Sequence, residues 1–318
     1  MRRLVLVAFA LLLAAPAFAG PYPDRPIRII VPTPAGGPVD VMARLVAGAL
    51  PASLRQNVFI ENKPGAGNII GSKIAGAADP DGYTLIVSAA SGLIMSPMIY
   101  STAGYDASSF AAVALIAETP QLLVVNPQLP VKTVAELVTY AKANPGKLNY
   151  STGGIGTLPH LSAELFKKIT GTNIVHVPYK GGGPALVGVV AGEAQMTFDT
   201  VATSLPLARD GKLRVLAVVG PKRVAELPDV PTMREAGFPT ISTGAWTALL
   251  APKGTPPAII AKLNDAVNKA LQSEPMKSTL AKLGAQPRGG TPQDLADHMA
   301  SEQKKWKPIV EVLKLKVN

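Results

Sequence analysis

Short apolar runs alternate with stretches of helical periodicity along most of the chain. Ile27-Arg28-Ile29-Ile30-Val31 predicts a buried strand, and the stretch after Pro38 places Met42, Leu45, Val46, Ala49 and Leu50 on one helical face. Val58–Glu61 predicts a second strand and Asn68–Ala78 a helix of small residues. The turn Asp79-Pro80-Asp81-Gly82 feeds a strand at Tyr83–Ser88. Further strands are expected at Leu122–Asn126, Leu148–Tyr150, Ile174–Val177, Gln195–Asp199, Leu213–Val219 and Trp246–Ala251. Thr133-Val134-Ala135-Glu136 reads as a capping box opening a helix. Two long helices are expected near Pro257–Ser273 and Pro292–Leu313, the second with Thr291 as N-cap and proline at its first position. This alternation predicts an α/β fold with mainly parallel sheets. No low-complexity linker divides the chain, so a split into two domains must use short crossovers.

The pattern differs at the start. Met1-Arg2-Arg3 precedes an unbroken apolar run from Leu4 to Ala19, ending in Ala17-Phe18-Ala19 before Gly20. That is the layout of a cleavable export signal over residues 1–19. The run is shorter than the roughly 20 residues a spanning helix wants, and Pro16 lies near its end. Composition then narrows the picture. The chain has 31 basic side chains; losing Arg2 and Arg3 with the signal leaves 29 against 21 acidic, a net charge of +8. These charges are scattered, and aromatics make up only 5% of residues. A nucleic-acid partner is therefore not expected, because a clustered basic footprint and stacking platforms are both missing. The absence of cysteine excludes disulfides, thiolate metal sites, a cysteine nucleophile and a lipid anchor. The three histidines, His160, His176 and His298, show no metal-ligand spacing.

Candidate chemistry lies in glycine-rich turns. Val31-Pro32-Thr33-Pro34-Ala35-Gly36-Gly37-Pro38 is echoed by Val177-Pro178-Tyr179-Lys180-Gly181-Gly182-Gly183-Pro184, each following a strand and leading into a helix. Glycine lets the backbone approach a ligand closely, and the free N–H groups of a helix N-terminus favour an anion. Ser151-Thr152-Gly153-Gly154-Ile155-Gly156-Thr157 and Ser88-Ala89-Ala90-Ser91-Gly92 follow strands in the same way. Ligands of open α/β sheets sit at such strand ends, so the loops together predict a shared cleft. Gly67 to Lys73 inverts and shortens the order of a P-loop, and Gly154-Ile155-Gly156 is followed by Pro159 where a dinucleotide fingerprint needs glycine or alanine. No G-x-S-x-G elbow is present. His160, early in a helix, reads as a cap or packing residue, and His176, inside an apolar strand, as a core or sheet residue. Asp40 falls in the first turn of the first helix, where a carboxylate is favourable. Asp199 and Thr200, at a strand end, are pocket or turn-capping candidates. Phe198 and Trp246 are candidate cleft walls or core residues.

The chain resembles the Bug family, the substrate-binding proteins of tripartite tricarboxylate transporters, over essentially its whole length after the signal. The resemblance is carried by Tyr22-Pro23-Asp24-Arg25-Pro26-Ile27, Glu61-Asn62-Lys63-Pro64-Gly65-Ala66-Gly67 and Pro80-Asp81-Gly82-Tyr83-Thr84-Leu85. It continues in Pro145-Gly146-Lys147-Leu148-Asn149-Tyr150, His176-Val177-Pro178-Tyr179-Lys180-Gly181 and Leu227-Pro228-Asp229-Val230-Pro231-Thr232. The family usually has an aromatic residue where this chain has Thr33, so an aromatic lid over the ligand is not expected here.

The resemblance implies a two-lobed periplasmic binding protein of Venus-flytrap, type II-like form, each lobe a mainly parallel sheet flanked by helices. Residues 20–124 with 246–318 would form the first lobe and 125–245 the second, with crossovers near Leu122–Asn126 and Thr243–Trp246. The implied ligand is a small carboxylate: a di- or tricarboxylate, an amino acid or an aromatic acid. It would be held by Thr33, Ala35, Gly36, Gly37, Asp40, Ser88, Ser91, Gly92, Ser151, Thr152, Gly153, Gly156, Thr157, Phe198, Asp199, Thr200 and Thr243. Neither a cofactor nor a metal is expected. The expected role is a periplasmic receptor, a monomer not itself embedded in the membrane, handing its solute to permease subunits. Two alternatives remain open from sequence: a secreted enzyme acting on a carboxylate in the same cleft, for which no nucleophile–base pair is found, and an adaptor for a membrane histidine kinase.

Overall fold

The strand expected at Ile27–Val31 forms over those residues as β1 in a computed structural model that describes residues 22–179 and 181–312. The export signal expected at 1–19 lies outside the described residues. After β1 come α1 (Pro38–Ala49), α2 (Pro51–Leu54), β2 (Val58–Asn62), α3 (Ile69–Gly76) and β3 (Thr84–Ala89). A π-helical turn at Ser91–Met95 runs into α4 (Ser96–Ile99), and the long β4 (Phe110–Val125) follows. Next are α5 (Val134–Ala143), β5 (Asn149–Thr152), α6 (Leu158–Thr170), β6 (Val175–Pro178), α7 (Gly182–Val190), β7 (Met196–Thr200), α8 (Val201–Arg209) and β8 (Arg214–Val219). The chain closes with β9 (Gly244–Pro252), α9 (Pro257–Gln272), α10 (Glu274–Lys282), β10 (Gln286–Gly289) and α11 (Pro292–Val312). Among the described residues, no helix is long and apolar enough to cross a membrane.

The strands follow one path, β2-β1-β3-β9-β4-β7-β5-β6, with β8 and β10 also paired to β4. The sheet is mixed. Its two outer parts, β2-β1-β3 and β7-β5-β6, are parallel, as expected of βαβ units; β9 and β4 run antiparallel to their neighbours. β4 belongs to both halves of the molecule. Its segment from Phe110 to Pro120 pairs with β9, and with β10 on its other edge, while Gln121 to Val125 lies between β7 and β8. Pro120 stands at the switch, opposite Gly244, where a missing N–H interrupts neither set of partners. The sequence suggested only a short strand at Leu122–Asn126, because the upstream stretch is rich in alanine and broken by that proline.

Helices cover both faces of each half. On one face of the first half, Ile27, Ile29, Val31, Leu85 and Val87 pack on Met42 and Val46 of α1 and on Leu263 and Val267 of α9. Burying a side chain of the size of Met42 or Val46 contributes about 1.5–3 kcal/mol. On the opposite face, Ile30, Ile86, Leu250 and Trp246 meet Leu93 of the π turn and Trp306 of α11. The second half has its own pair of clusters, one around Tyr150, Phe166 and Phe198, the other around Leu122, Val189 and Val201. α6 serves both halves: Leu158, Leu161 and Leu165 pack into the first, Ala163 and Phe166 into the second.

One buried polar group ties the halves together, and a second braces α11 against β9 within the first half. At the crossover, the Gln121 Oε1 accepts from Ser162 Oγ at 2.7 Å and from Thr243 Oγ1 at 2.9 Å, and the two hydroxyls are 2.8 Å apart. Below it, the indole N–H groups of Trp246 and Trp306 both donate to Glu302 Oε2, at 3.2 and 3.0 Å. Burial pushes the Glu302 carboxyl up, but Lys305 and the two indoles outweigh it and hold it below the usual range.

Candidate functional site

The turns that the sequence singled out are built as expected at helix starts, and most of their side chains are already engaged. In the first loop, Gly36 takes a left-handed φ of 80°, and Gly37 caps α1 with Pro38 at the first helical position. Asp40, 1% exposed, accepts from Gly36 N, Arg44 Nε and Asn62 Nδ2, each at 2.8 Å. Burial alone would raise its pKa; these hydrogen bonds and the Arg44 charge outweigh that and bring it to about 2. Asn62 also donates to the Thr33 carbonyl at 3.0 Å, so Asp40 and Asn62 set the shape of the loop that carries Thr33 and Ala35. The Thr33 hydroxyl is buried without a partner.

At the end of β3, Ser88 is buried and its hydroxyl has no partner. A Cβ on Gly92 would lie 2.7 Å from that oxygen, so only glycine fits there without displacement. In the second half, Ser151 is fully buried and donates to the Ala185 carbonyl at 2.8 Å. Thr152 Oγ1 lies 2.6 Å from His176 Nε2, and Thr157 Oγ1 donates to the Gly154 carbonyl at 2.8 Å. Gly153 runs against Gly181, whose backbone carbon would be 2.9 Å from an added Cβ. Phe198 is a core residue, 1% exposed and 6.0 Å from the ring of Phe166. Asp199 accepts from Thr203 and Ser204 at 2.5 and 2.6 Å at the start of α8, and burial pushes its carboxyl up. Thr200 pairs with Thr203, and Thr243 is held in the Gln121 cluster.

A cavity of about 300 Å³ opens between the halves. One wall comes from Asn68, Ser91, Ser96 and Tyr100, the other from Ile155, Gly156 and Thr157 with the first turn of α6, and Ala245 of β9 joins them. None of its lining residues is charged. Of the expected set it gathers Ser91, Gly156 and Thr157. Asn68, Ser96 and Tyr100 were not singled out. Asn68, in a left-handed conformation, donates to Ser91 Oγ at 3.2 Å, and Ser96 Oγ donates to the Ser91 carbonyl at 2.8 Å. The sequence signal for Asn68 was the Gly-Ala-Gly-Asn turn itself. Tyr100 left none.

The electrostatics of this cavity suit an anion held by neutral donors. Thr157 caps α6 by position, yet its hydroxyl is turned to Gly154, so no side chain takes up the first-turn N–H groups. Such an open helix start carries partial positive charge toward the cavity. A smaller cavity of about 190 Å³ beside Trp246 is lined by Glu118, Lys222, His298, Glu302 and Lys305 and contains none of the expected site residues. Among the described residues, no three His, Cys, Asp or Glu side chains converge to hold a metal.

Comparison with known proteins identifies the family and the fold. The sequence profile described as tripartite tricarboxylate transporter family receptor matches residues 42–315. Protein BugT of Bordetella pertussis is 39% identical over 303 residues, covering 94% of this chain and 92% of BugT. An R. palustris protein solved with adipate superposes with a TM-score of 0.82 at 37% identity, over 92% of this chain and 98% of that one. MatC from Rhodopseudomonas palustris with bound malate gives 0.80 at 35% identity, over 91% and 100%. The fold is that of periplasmic binding proteins, as in BugD. On this evidence the chain belongs to the tripartite tricarboxylate transporter receptor family, the periplasmic solute-binding proteins that include the Bug proteins.

Proposed function

We propose that the protein captures a small carboxylate in the periplasm and delivers it to the membrane subunits of a tripartite tricarboxylate transporter. The observation that carries this reading is the uncharged cavity between the halves, opening on the start of α6. Its volume falls at the lower end for small-molecule sites, about 300–1,000 Å³, which suits a compact dicarboxylate better than a large aromatic acid. Adipate and malate, bound by two relatives, are ligands of that class. We place Ser91, Gly156 and Thr157 in direct contact with the ligand, with Asn68, Ser96 and Tyr100 beside them. The loop of Thr33, Ala35, Gly36 and Gly37 approaches from the first lobe, and Gly92, Ser151, Thr152 and Gly153 support the contacting backbone.

The lobes divide, in this reading, as 20–124 with 246–318 against 125–245; the change of partners along β4 at Pro120 and Gln121 supports such a division. A ligand touching both walls favours the closed form, because only that form makes all its contacts. The chain then acts as an exported, monomeric receptor without catalytic turnover. A thermal-shift screen of mono-, di- and tricarboxylates, amino acids and aromatic acids tests this on protein unfolded and refolded to remove carried-over ligand. Binding to the native state raises Tm by mass action. Dicarboxylates are expected to give the largest shifts, and a flat response across the panel refutes the reading. Chemical conversion of a stabilising compound on prolonged incubation would point to an enzyme instead.

A further inference from the structure

Two histidines from different elements meet behind the Gly153–Thr157 loop. The His160 ring of α6 stacks on that of His176 from β6, centroids 4.3 Å apart and planes 28° from parallel. Tyr150 of β5 continues the stack, 4.8 Å from His176. Each imidazole is bonded to the loop. Gly156 N–H donates to His160 Nδ1 at 3.2 Å, and His176 Nε2 lies 2.6 Å from the Thr152 hydroxyl. Thr152 Oγ1 in turn accepts from Gly154 N and donates to Gly154 O, both at 3.2 Å. One assignment satisfies all these contacts: His176 donates through Nε2–H, and His160 carries its proton on Nε2, leaving Nδ1 as an acceptor.

We propose that His160 and His176 are positioning residues for ligand capture, which as a neutral pair hold the Gly153–Thr157 loop in the shape that presents the start of α6 to the cavity. The inference rests on the carboxylate reading above and assigns the second wall of that site its support. His160 is the sensitive member. A proton on Nδ1 would set two donors, its own N–H and that of Gly156, against each other. The charged and titratable groups facing the pair are Glu164 and Lys167 from α6 and Tyr150 from β5, with Lys167 Nζ and Tyr150 Oη both bonded to Glu164. Burial dominates over them: it lowers the pKa of His160 to about 4, helped by the neighbouring His176, and it also depresses His176. Both rings are therefore neutral at ordinary periplasmic pH.

The test compares the wild type with His160→Asn, whose Oδ1 can stand in for Nδ1, and with His160→Ala. Affinities for malate and adipate are measured by calorimetry from pH 7.5 down to 4. In parallel, amide exchange of Gly156 and the imidazole nitrogen shifts of His160 are followed by NMR without ligand. We expect His160→Ala to weaken binding about tenfold, as the loss of one buried hydrogen bond implies, and His160→Asn to stay within about threefold of wild type. The ratio of wild-type to His160→Asn affinity should fall as pH approaches 4, a comparison in which titration of the ligand itself cancels. The Gly156 amide should be protected in wild type and His160→Asn and exposed in His160→Ala, with His160 Nδ1 unprotonated. Wild-type affinity and a protected Gly156 amide in His160→Ala would overturn the proposal, as would a protonated Nδ1 at pH 7.5. Should neither acid bind the wild type, the acid of the panel that most raises Tm replaces them; should none do so, the carboxylate reading fails, and the Gly156 amide alone then decides whether His160 holds the loop.

Discussion

A Cβ on Gly156 would lie 3.0 Å from Ile99 Cδ1, so the loop before α6 and the end of α4 meet beside the cavity closely enough that a side chain there would have to displace Ile99. Gly156 also has a φ of 79°, where a side chain is strained. Gly156→Val should therefore wedge the walls apart as well as distort the loop. The expected result is at least a tenfold rise in Kd for any acid that stabilises the wild type, measured by calorimetry, with a stability loss of about 1–3 kcal/mol from the strained backbone.

The first loop depends on a carboxylate that never needs to touch a ligand. Asp40 accepts three hydrogen bonds, and the unfolded chain lacks them. Asp40→Asn keeps the size but loses the charge-assisted bonds, at a cost of about 2 kcal/mol, read as a lower urea midpoint. Because its folded pKa of about 2 lies below the ordinary 3.8, this stability is present above pH 4 and lost as pH falls toward 2. The variant should show a shallower acid limb.

His160 shapes stability at milder pH. Its folded pKa of about 4 lies below the ordinary 6.5, so as pH drops through that window the unfolded chain takes up a proton that the folded chain refuses. Stability is full above pH 6.5 and declines toward pH 4, by on the order of 2 kcal/mol from this residue. His176 is depressed too and acts in the same direction. Urea midpoints between pH 7.5 and 4.5 should fall less steeply in His160→Asn than in the wild type; parallel curves would remove His160 from the effect.

Thr243 separates folding from binding. Its hydroxyl is fully buried between Gln121 and Ser162 and does not line the cavity. Thr243→Val leaves both partners short of one hydrogen bond, costing about 1–3 kcal/mol. Tm should fall while affinity, measured well below Tm, stays within about twofold of wild type. A large loss of affinity at unchanged stability would instead place Thr243 at the ligand.

The parallel parts of the sheet were legible because strands such as β1 and β3 have apolar centres and the chain alternates strand, turn and helix. β1 and the start of α1 fall where the pattern put them. β10 was not legible: its four residues are mostly exposed and polar, and β4 alone supplies its partner. The length of β4 was hidden by alanines and by Pro120, whose place is understood only once the change of partners is seen. The second half of the glycine echo also differs in detail, since α7 starts at Gly182 and Pro184 falls inside its first turn. In the candidate site, the glycine turns marked loops of which Ser91, Gly156 and Thr157 line the cavity, but not which atoms remain free. Ser151 and Phe198 are ligand candidates in one dimension, and the sequence did not show that their side chains engage Ala185 and Phe166. Tyr100 and the stacking of His160 on His176 arise from tertiary approach, which no local pattern encodes.

The shared carboxylate of Glu302 has an optical consequence. The chain contains two tryptophans, and both indoles end on that one oxygen, beside the crossover that leads from Thr243 into β9. Its tryptophan emission, excited selectively over tyrosine, therefore originates from a single joint and carries no background from the outer strands or the cavity walls. Swinging of the lobes about β9 would be recorded there without a dye, and saturating solute that leaves the spectrum unchanged would locate the bending elsewhere.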